Sequence, residues 1–303
     1  MSYTELREAL KKADIDFDYE GNELRIILNG KDLSAKLKDD LKSSSEQYIK
    51  TPILAVITIG DDKASSVYVK NKKKACEYVG FSFMHFDYVH NVKESVVIKK
   101  IKELNRDKTV NGILLQLPIP KEYDLDKIIN TIDPKKDVDG LTNVNMGKLM
   151  SGYNGHVPCT PKGIMSIFDY YNIDLNGKEV VVVGRSNLVG KSVAMLCLER
   201  NATVSICHSK TKNLKDYTLN ADILIVATGK KWLIDKSMIK KDSIIIDVGI
   251  NSVDGKLYGD VNPNVEEKCS MITPVPGGVG PMTVVSLLQN TFNAYKEMND
   301  IDE

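Results

Sequence analysis

Residues 53–59 read Ile-Leu-Ala-Val-Ile-Thr-Ile, and the turn Gly60-Asp61-Asp62 follows at once. A run this apolar suits a strand buried on both faces. A lysine-rich helical stretch over 65–78 comes next and stops at Gly80. The unit then repeats. Strands are predicted over 81–89, 110–117, 179–183, 203–207, 223–227 and 244–248, and helices over 92–105, 125–132, 161–170 and 191–200. Strands alternating with helices imply mostly parallel sheets covered by helices. A chain of 303 residues is too long for one small core and suits two domains. The expected fold class is therefore α/β, with two α/β domains around a cleft.

The flanking segments set the expected boundaries. Residues 3–13 are predicted as a short helix, 23–28 as strand-like, and 31–48 as a charged amphipathic helix ended at Thr51-Pro52. A polar passage from Asp139-Gly140 to Gly155-His156 reads as the interdomain crossing. Thr160 can cap the helix that follows, with Pro161 at its first position. After the turn-rich run 274–281, residues 283–298 read as one long helix returning to the first domain. The expected division is 1–140, with an extension over 1–25 and completion by a C-terminal helix over 283–303, and then 156–282.

Composition narrows the function classes. Hydrophobic residues at 42% and charged residues at 27% fit a soluble globular chain. The 41 Lys and Arg balance 41 Asp and Glu, so no bulk basic charge points to nucleic acid. Apolar runs such as Val180-Val181-Val182-Val183 are far short of a membrane span. The charged N-terminus has no signal-peptide core, which makes a cytoplasmic placement the expectation. Cys76, Cys159, Cys197, Cys207 and Cys269 form no CxxC pair, and no histidines stand in HExxH spacing. No metal is expected, and the thiols are expected to be reduced and structural.

The strongest local pattern runs Val183-Gly184-Arg185-Ser186-Asn187-Leu188-Val189-Gly190-Lys191. A strand entering a glycine turn and then a helix can hold a pyrophosphate on its first-turn N–H groups. The spacing is GxSxxxG, not the usual GxGxxG, so an ordinary strand–turn–helix remains open. An acid that would hold ribose hydroxyls is missing after the next strand, where His208-Ser209-Lys210-Thr211 stands. Arg185, Ser209 and Lys210 suit a 2′-phosphate, which favours NADP over NAD. Ala227-Thr228-Gly229, Asp247-Val248-Gly249-Ile250 and the segment over 274–283 supply backbone near strand ends.

In the first half, Ser65, Tyr68 and Lys72 share a helix face by their i, i+3 and i+4 spacing. A lysine of lowered pKa can move protons near neutrality. Lys70, Lys72, Lys73 and Lys74 crowd together, so a solvated lysine is the competing reading. Gln116 precedes Leu117-Pro118 at a strand end, and Asp139 stands beside Gly140. Each also suits a cap or a turn.

Taken in order, these segments resemble the methylenetetrahydrofolate dehydrogenase/cyclohydrolase family. The resemblance is carried by Gly60-Asp61-Asp62-Lys63-Ala64-Ser65-Ser66-Val67-Tyr68-Val69-Lys70-Asn71-Lys72 and Gly112-Ile113-Leu114-Leu115-Gln116-Leu117-Pro118-Ile119-Pro120. Asp137-Val138-Asp139-Gly140, Pro158-Cys159-Thr160-Pro161, Gly184-Arg185-Ser186 and Pro276-Gly277-Gly278-Val279-Gly280-Pro281-Met282-Thr283 complete it. It covers nearly all the chain after residue 27, while the first 25 residues carry none of the motifs. Ser192 departs from the pattern, which commonly has Pro after Lys191; little functional loss is expected.

The resemblance implies NADP-linked oxidation of 5,10-methylenetetrahydrofolate, then hydrolysis of the methenyl product to 10-formyltetrahydrofolate. It places these reactions in one-carbon metabolism and purine biosynthesis. It implies an acid–base role for Lys72, folate positioning by Tyr68, and help to Lys72 from Gln116. Asp139 would hold the pterin edge, with Ser65, Pro118, Pro276 and Gly277 also at the substrate. Cofactor contacts are implied for Gly184, Arg185, Ser186, Ser209, Thr228, Gly229, Ile250, Gly278 and Thr283. The second domain would be Rossmann-like, the nicotinamide would face the folate across the cleft, and the assembly would be a homodimer. A monofunctional dehydrogenase or a folate- or nucleotide-binding regulatory module are the alternatives. The set Lys72, Tyr68 and Gln116 favours catalysis, since a binding module needs no proton-transfer group.

Overall fold

The structure, a computed structural model, describes residues 17–20 and 23–301. The helix predicted over 3–13 lies outside the described residues. Two compact units emerge. One comprises Ser34–Cys159 and the chain from Thr283 onward; the other comprises the described residues up to Leu33 and Thr160–Met282.

The chain begins with β1 (Phe17–Glu20) and β2 (Glu23–Ile27), then α1 (Gly30–Ser45). The first unit is built on β3 (Ile53–Ile59), α2 (Lys63–Tyr78), β4 (Ser82–Tyr88), α3 (Glu94–Arg106) and β5 (Gly112–Leu115). Short helices α4 (Leu125–Ile129) and α5 (Asn143–Met150) follow. The sheet is parallel in the order β4-β3-β5. Alternate residues of the central strand feed two cores, as the period of two requires. Leu54, Val56 and Leu114 meet Val69 and Cys76 of α2, Val79 just after it, and Leu288, Phe292 and Tyr295 of the last helix. Ala55, Ile57, Ile113 and Leu115 meet Val97, Ile101 and Leu104 of α3, which stand at i, i+4 and i+7. Ile57 is fully buried, and truncation of such a residue to Ala costs about 2–5 kcal/mol.

The second unit continues with α6 (Cys159–Tyr170), β6 (Glu179–Val183), α7 (Ser192–Glu199), β7 (Thr203–Cys207), α8 (Leu214–Thr218), β8 (Ile223–Val226) and β9 (Ile244–Asp247). A hairpin, β10 (Asn251–Val253) and β11 (Lys256–Tyr258), precedes the two-residue β12 (Met271–Ile272). Its seven-stranded sheet has the order β1-β2-β12-β9-β8-β6-β7, parallel except for the β1–β2 pair. Helix α9 (Val279–Met298) ends the chain.

Two boundaries differ from expectation. The N-terminal strand does not join the first half: Ile26 and Ile27 pair with Met271 and Ile272, and the Leu28 N–H donates to Ile272 O at 2.8 Å. Leu28 is fully buried there, so its apolar surface reinforces the ladder. Nor does the first unit end at residue 140. The polar passage holds α5, capped by Thr142 Oγ1 accepting from the Asn145 N–H, and groups with the first unit as far as Cys159. Among the described residues, no helix is long and apolar enough to cross a membrane.

Candidate active site

Helix α2 starts where it does because Asp62 caps it, accepting from the Ser65 N–H at 2.7 Å. That bond holds the Asp62 carboxyl below its ordinary range. The helix carries Ser65, Tyr68 and Lys72 on one face. Ser65 is buried, and its Oγ makes no hydrogen bond; Tyr68 is exposed; Lys72 is half-buried. Gln116 lies just past β5, its N–H donating to Ile57 O. Its amide is oriented from both ends: Nε2 donates to Leu117 O at 2.7 Å, and Oε1 accepts from Lys72 Nζ at 2.7 Å. Pro118 beside it is exposed, after a cis peptide bond.

Asp139 completes the cluster from a loop that its neighbours hold rigid. Asp137 accepts from the Leu141 and Thr142 N–H groups and from Asn145 Nδ2, at 3.2, 2.8 and 2.9 Å. Asn290 Nδ2 of α9 donates to Val138 O at 2.9 Å. Gly140 has φ +66°, and a Cβ there would meet His156 O at 2.5 Å, so a side chain is barred. Burial pushes the Asp139 carboxyl up to about 6, partly offset by Lys72. Burial likewise lowers Lys72, partly offset by Asp139. The cluster thus pairs a weakened base and a weakened acid with a neutral amide, an arrangement suited to moving protons near neutral pH. A cavity of about 870 Å³ also opens on Ser65, Val69, Lys70, Lys73 and His85, but Lys72, Gln116 and Asp139 do not line it.

In the second unit, β6 runs into Gly184 at φ +136°, where a Cβ would meet Ala227 O at 2.3 Å. Ser186 Oγ caps the next turn by accepting from the Val189 N–H at 3.2 Å. That turn, Asn187–Lys191, is π-helical and delays α7 to Ser192. Gly190 lets the turn close on the strand end, since a Cβ would lie 2.2 Å from Gly184 O. Buried Ser192 takes part as well, its Oγ donating to Asn187 O at 2.5 Å. Arg185, Ser186, Ser209 and Lys210 are all exposed. Tight backbone, a helix start and exposed basic and hydroxyl groups fit a phosphate-bearing dinucleotide.

The remaining predicted cofactor residues divide between the units. Thr228 and Gly229 follow β8, Ile250 is exposed after β9, and Gly278 packs so closely that a Cβ would lie 2.7 Å from Pro274 O. Pro276 is exposed, and Gly277 has φ +112°. These all belong to the second unit, whereas Thr283 groups with the first. Sequence reasoning named Asp137 and Asp247 within motifs without giving either a role, and missed Asp260. Asp247, pushed up to about 6 by burial, accepts from the Gly249, Asp260 and Val261 N–H groups. Two glycines gave a signal, since both Gly249 and Gly259 abut these carboxylates. All five cysteines are buried, and among the described residues no cluster of His, Cys, Asp or Glu is placed to hold a metal ion.

Comparison with known proteins gives the following. Residues 28–139 match the family described as "Tetrahydrofolate dehydrogenase/cyclohydrolase, catalytic domain", and residues 158–299 match its "NAD(P)-binding domain". The "Bifunctional protein FolD" of Hydrogenobaculum is 51% identical over 274 residues, spanning 89% of this chain and 99% of that protein. The crystal structure of the bifunctional enzyme FolD from Campylobacter jejuni superposes with a TM-score of 0.88 at 45% identity, covering 89% of this chain and 98% of that one. The Trypanosoma brucei methylenetetrahydrofolate dehydrogenase-cyclohydrolase, solved with NADP cofactor and inhibitor, gives 0.86 at 33% identity, covering 90% and 98%.

Proposed function

The chain belongs to the tetrahydrofolate dehydrogenase/cyclohydrolase family, and from that premise we propose that Lys72 moves the protons of the hydrolytic step and that NADP is the preferred dinucleotide. The protein is a bifunctional enzyme that oxidises 5,10-methylenetetrahydrofolate and hydrolyses the methenyl product. The observation that carries the assignment is the 2.7 Å bond from Lys72 Nζ to the neutral Gln116 amide. A carboxylate in that position would favour the protonated lysine, whereas an amide orients the amine without adding charge.

The hydrolysis then divides among the chain's own residues. Water adds to the methenyl carbon as Lys72 accepts its proton; the C–O bond forms, and the cationic ring becomes neutral. The bond from that carbon to N5 then breaks as the new hydroxyl gives up its proton and becomes the formyl C=O, N5 takes up a proton in exchange, and 10-formyltetrahydrofolate results, with Lys72 releasing its proton to water. Gln116 holds the amine in place, Tyr68 and Ser65 orient the substrate, and Asp139 accepts hydrogen bonds from the aminopyrimidine edge of the pterin. Pro118, Pro276 and Gly277 complete the proposed substrate contacts.

In the dehydrogenase step the bound dinucleotide supplies a hydride acceptor. Gly184, Ser186 and the turn after them would hold its pyrophosphate, and Arg185 and Ser209 the 2′-phosphate. Thr228, Gly229, Ile250, Gly278 and Thr283 are proposed as further contacts. A homodimer in the cytoplasm is part of the same reading, drawn from the family.

Assay of the wild type with 5,10-methylenetetrahydrofolate and either NADP or NAD tests the proposal. Reduced nucleotide and 10-formyltetrahydrofolate are expected together, with higher kcat/KM for NADP. A charge-assisted contact is worth about 1.5–3 kcal/mol, so Arg185→Ala should narrow the preference by roughly tenfold. Equal or better efficiency with NAD in the wild type would overturn the cofactor assignment.

A further inference from the structure

Asp260 is fully buried, and every hydrogen bond its carboxylate makes is directed at a loop on the carboxyl side of the parallel sheet. Its Oδ2 accepts from the Thr228 N–H at 2.6 Å, from Thr228 Oγ1 at 2.9 Å and from the Gly229 N–H at 2.9 Å. Its Oδ1 accepts from Asn251 Nδ2 at 2.9 Å, next to exposed Ile250. Its own N–H donates to Asp247 Oδ1 at 3.0 Å, and that oxygen also accepts from the Gly249 N–H at 2.9 Å. Asp247 Oδ2 takes the Val261 N–H at 2.9 Å. Three loops, after β8, after β9 and after β11, are thereby tied through two side chains.

The glycines show how tightly this knot is drawn. A Cβ on Gly249 would lie 2.2 Å from Asp260 Oδ1, and one on Gly259 would lie 1.8 Å from Asp247 Oδ2. Open α/β sheets bind dinucleotides outside the carboxyl ends of their strands. Loops in that place carry backbone groups that would otherwise reorder on binding, and ordering them beforehand lowers the cost of association.

We propose that Asp260 is a positioning residue for the dinucleotide, fixing Thr228-Gly229 and the strand end carrying Ile250 in their binding conformation. Asp260 acts through these loops and does not itself touch the ligand. The inference rests on the assignment of those loops to the cofactor site made above. It predicts a defect confined to the nucleotide.

The test uses the intact enzyme and three readouts: Kd for NADP by titration calorimetry, KM for NADP in the dehydrogenase reaction, and hydrolysis of methenyltetrahydrofolate without nucleotide. Asp260→Asn keeps shape and one acceptor oxygen but replaces the other with a donor. It should raise Kd and KM for NADP roughly ten- to hundredfold while hydrolytic turnover falls less than about threefold. Asn251→Ala, which removes a single donor, should give the same pattern with a severalfold effect and carries the test if Asp260→Asn does not fold. Unchanged NADP affinity in a folded variant would overturn the inference alone, as would equal loss of both activities, which marks a merely structural carboxylate. Failure of the wild type to bind any dinucleotide would overturn the cofactor assignment, and this inference with it.

Discussion

Lys72 and Lys136 are both lysines withdrawn from water, yet their surroundings are opposite. Lys136 is 4% exposed, and its ammonium donates to Leu104 O at 2.9 Å and Asp107 O at 2.6 Å. Those carbonyls close the end of α3, so this lysine is spent on holding the fold. Lys72 donates to one neutral amide and faces a carboxyl that burial has itself weakened. Burial lowers both amines, but Lys136 is turned onto backbone carbonyls whereas Lys72 is turned onto a side-chain amide and toward Asp139. The carboxylates repeat the contrast two residues apart. Asp137 is saturated by two backbone N–H groups and an amide, while Asp139 is pushed up to about 6. A buried charge bonded to backbone carbonyls, or to backbone N–H groups of its own loop, builds the structure; one set against a second titratable group whose pKa burial has also moved is placed for proton transfer.

The largest effect should come from Lys72→Met. General acid–base help is worth about 10²–10⁴-fold, so hydrolysis should fall by that order while the dehydrogenase retains more of its rate. Equal loss of both, with circular dichroism unchanged, would make Lys72 a folate-positioning group and break the comparison. Lys136→Met should do the reverse. It leaves two carbonyls short of a donor, costing about 2 kcal/mol of stability in thermal or denaturant unfolding, with the ratio of the two activities unchanged.

Asp139→Asn should raise the KM for the folate roughly tenfold through loss of charge-assisted bonds. Its effect on stability has the opposite sign. A carboxyl raised to about 6 in the folded protein contributes stability below its unfolded value, and that contribution is lost as pH rises through 6. Removing the charge should therefore stabilise the free enzyme at pH 7.5, raising its Tm, and leave it unchanged below about pH 4. A fall in Tm at pH 7.5 would show that Asp139 is a structural group like Asp137. The smallest effect belongs to Lys73→Met. Lys73 is exposed and lies 3.8 Å from Glu77 one turn on, so both activities should stay near normal, with stability changed by about 0.5 kcal/mol or less.

Much of this was legible in the sequence where one segment contained its own reason. The run over 53–59 is apolar on both faces and became the central strand, with its odd and even residues in separate cores. Lys72 and Tyr68 announce a shared face through helical spacing, and the glycine turn after β6 declares a close approach. What escaped depends on partners far along the chain. Strand β2 joins the second unit through a two-residue strand more than two hundred positions away, and no local pattern records that pairing. Helix α5 was hidden in a polar stretch because only Asn145 and Leu149 among its residues are buried. The π turn at Asn187–Lys191 adds one residue to a helix start that spacing alone would begin earlier. Asp137 stood only as one letter of a motif and Asp260 was not singled out, since the bonds a carboxylate makes depend on which backbone N–H groups the fold brings to it.

The most direct test of the account is the titration of the Lys72 amine itself. Isotope-labelled lysine, followed by NMR across pH in wild type and in Lys72→Met, identifies its signal by disappearance. The midpoint should fall below the ordinary lysine value of 10.5 because burial disfavours the ammonium and Gln116 adds no charge. A midpoint at or above 10.5 would mean a solvated or fully paired ammonium, and would contradict the claim that Lys72 is the working base.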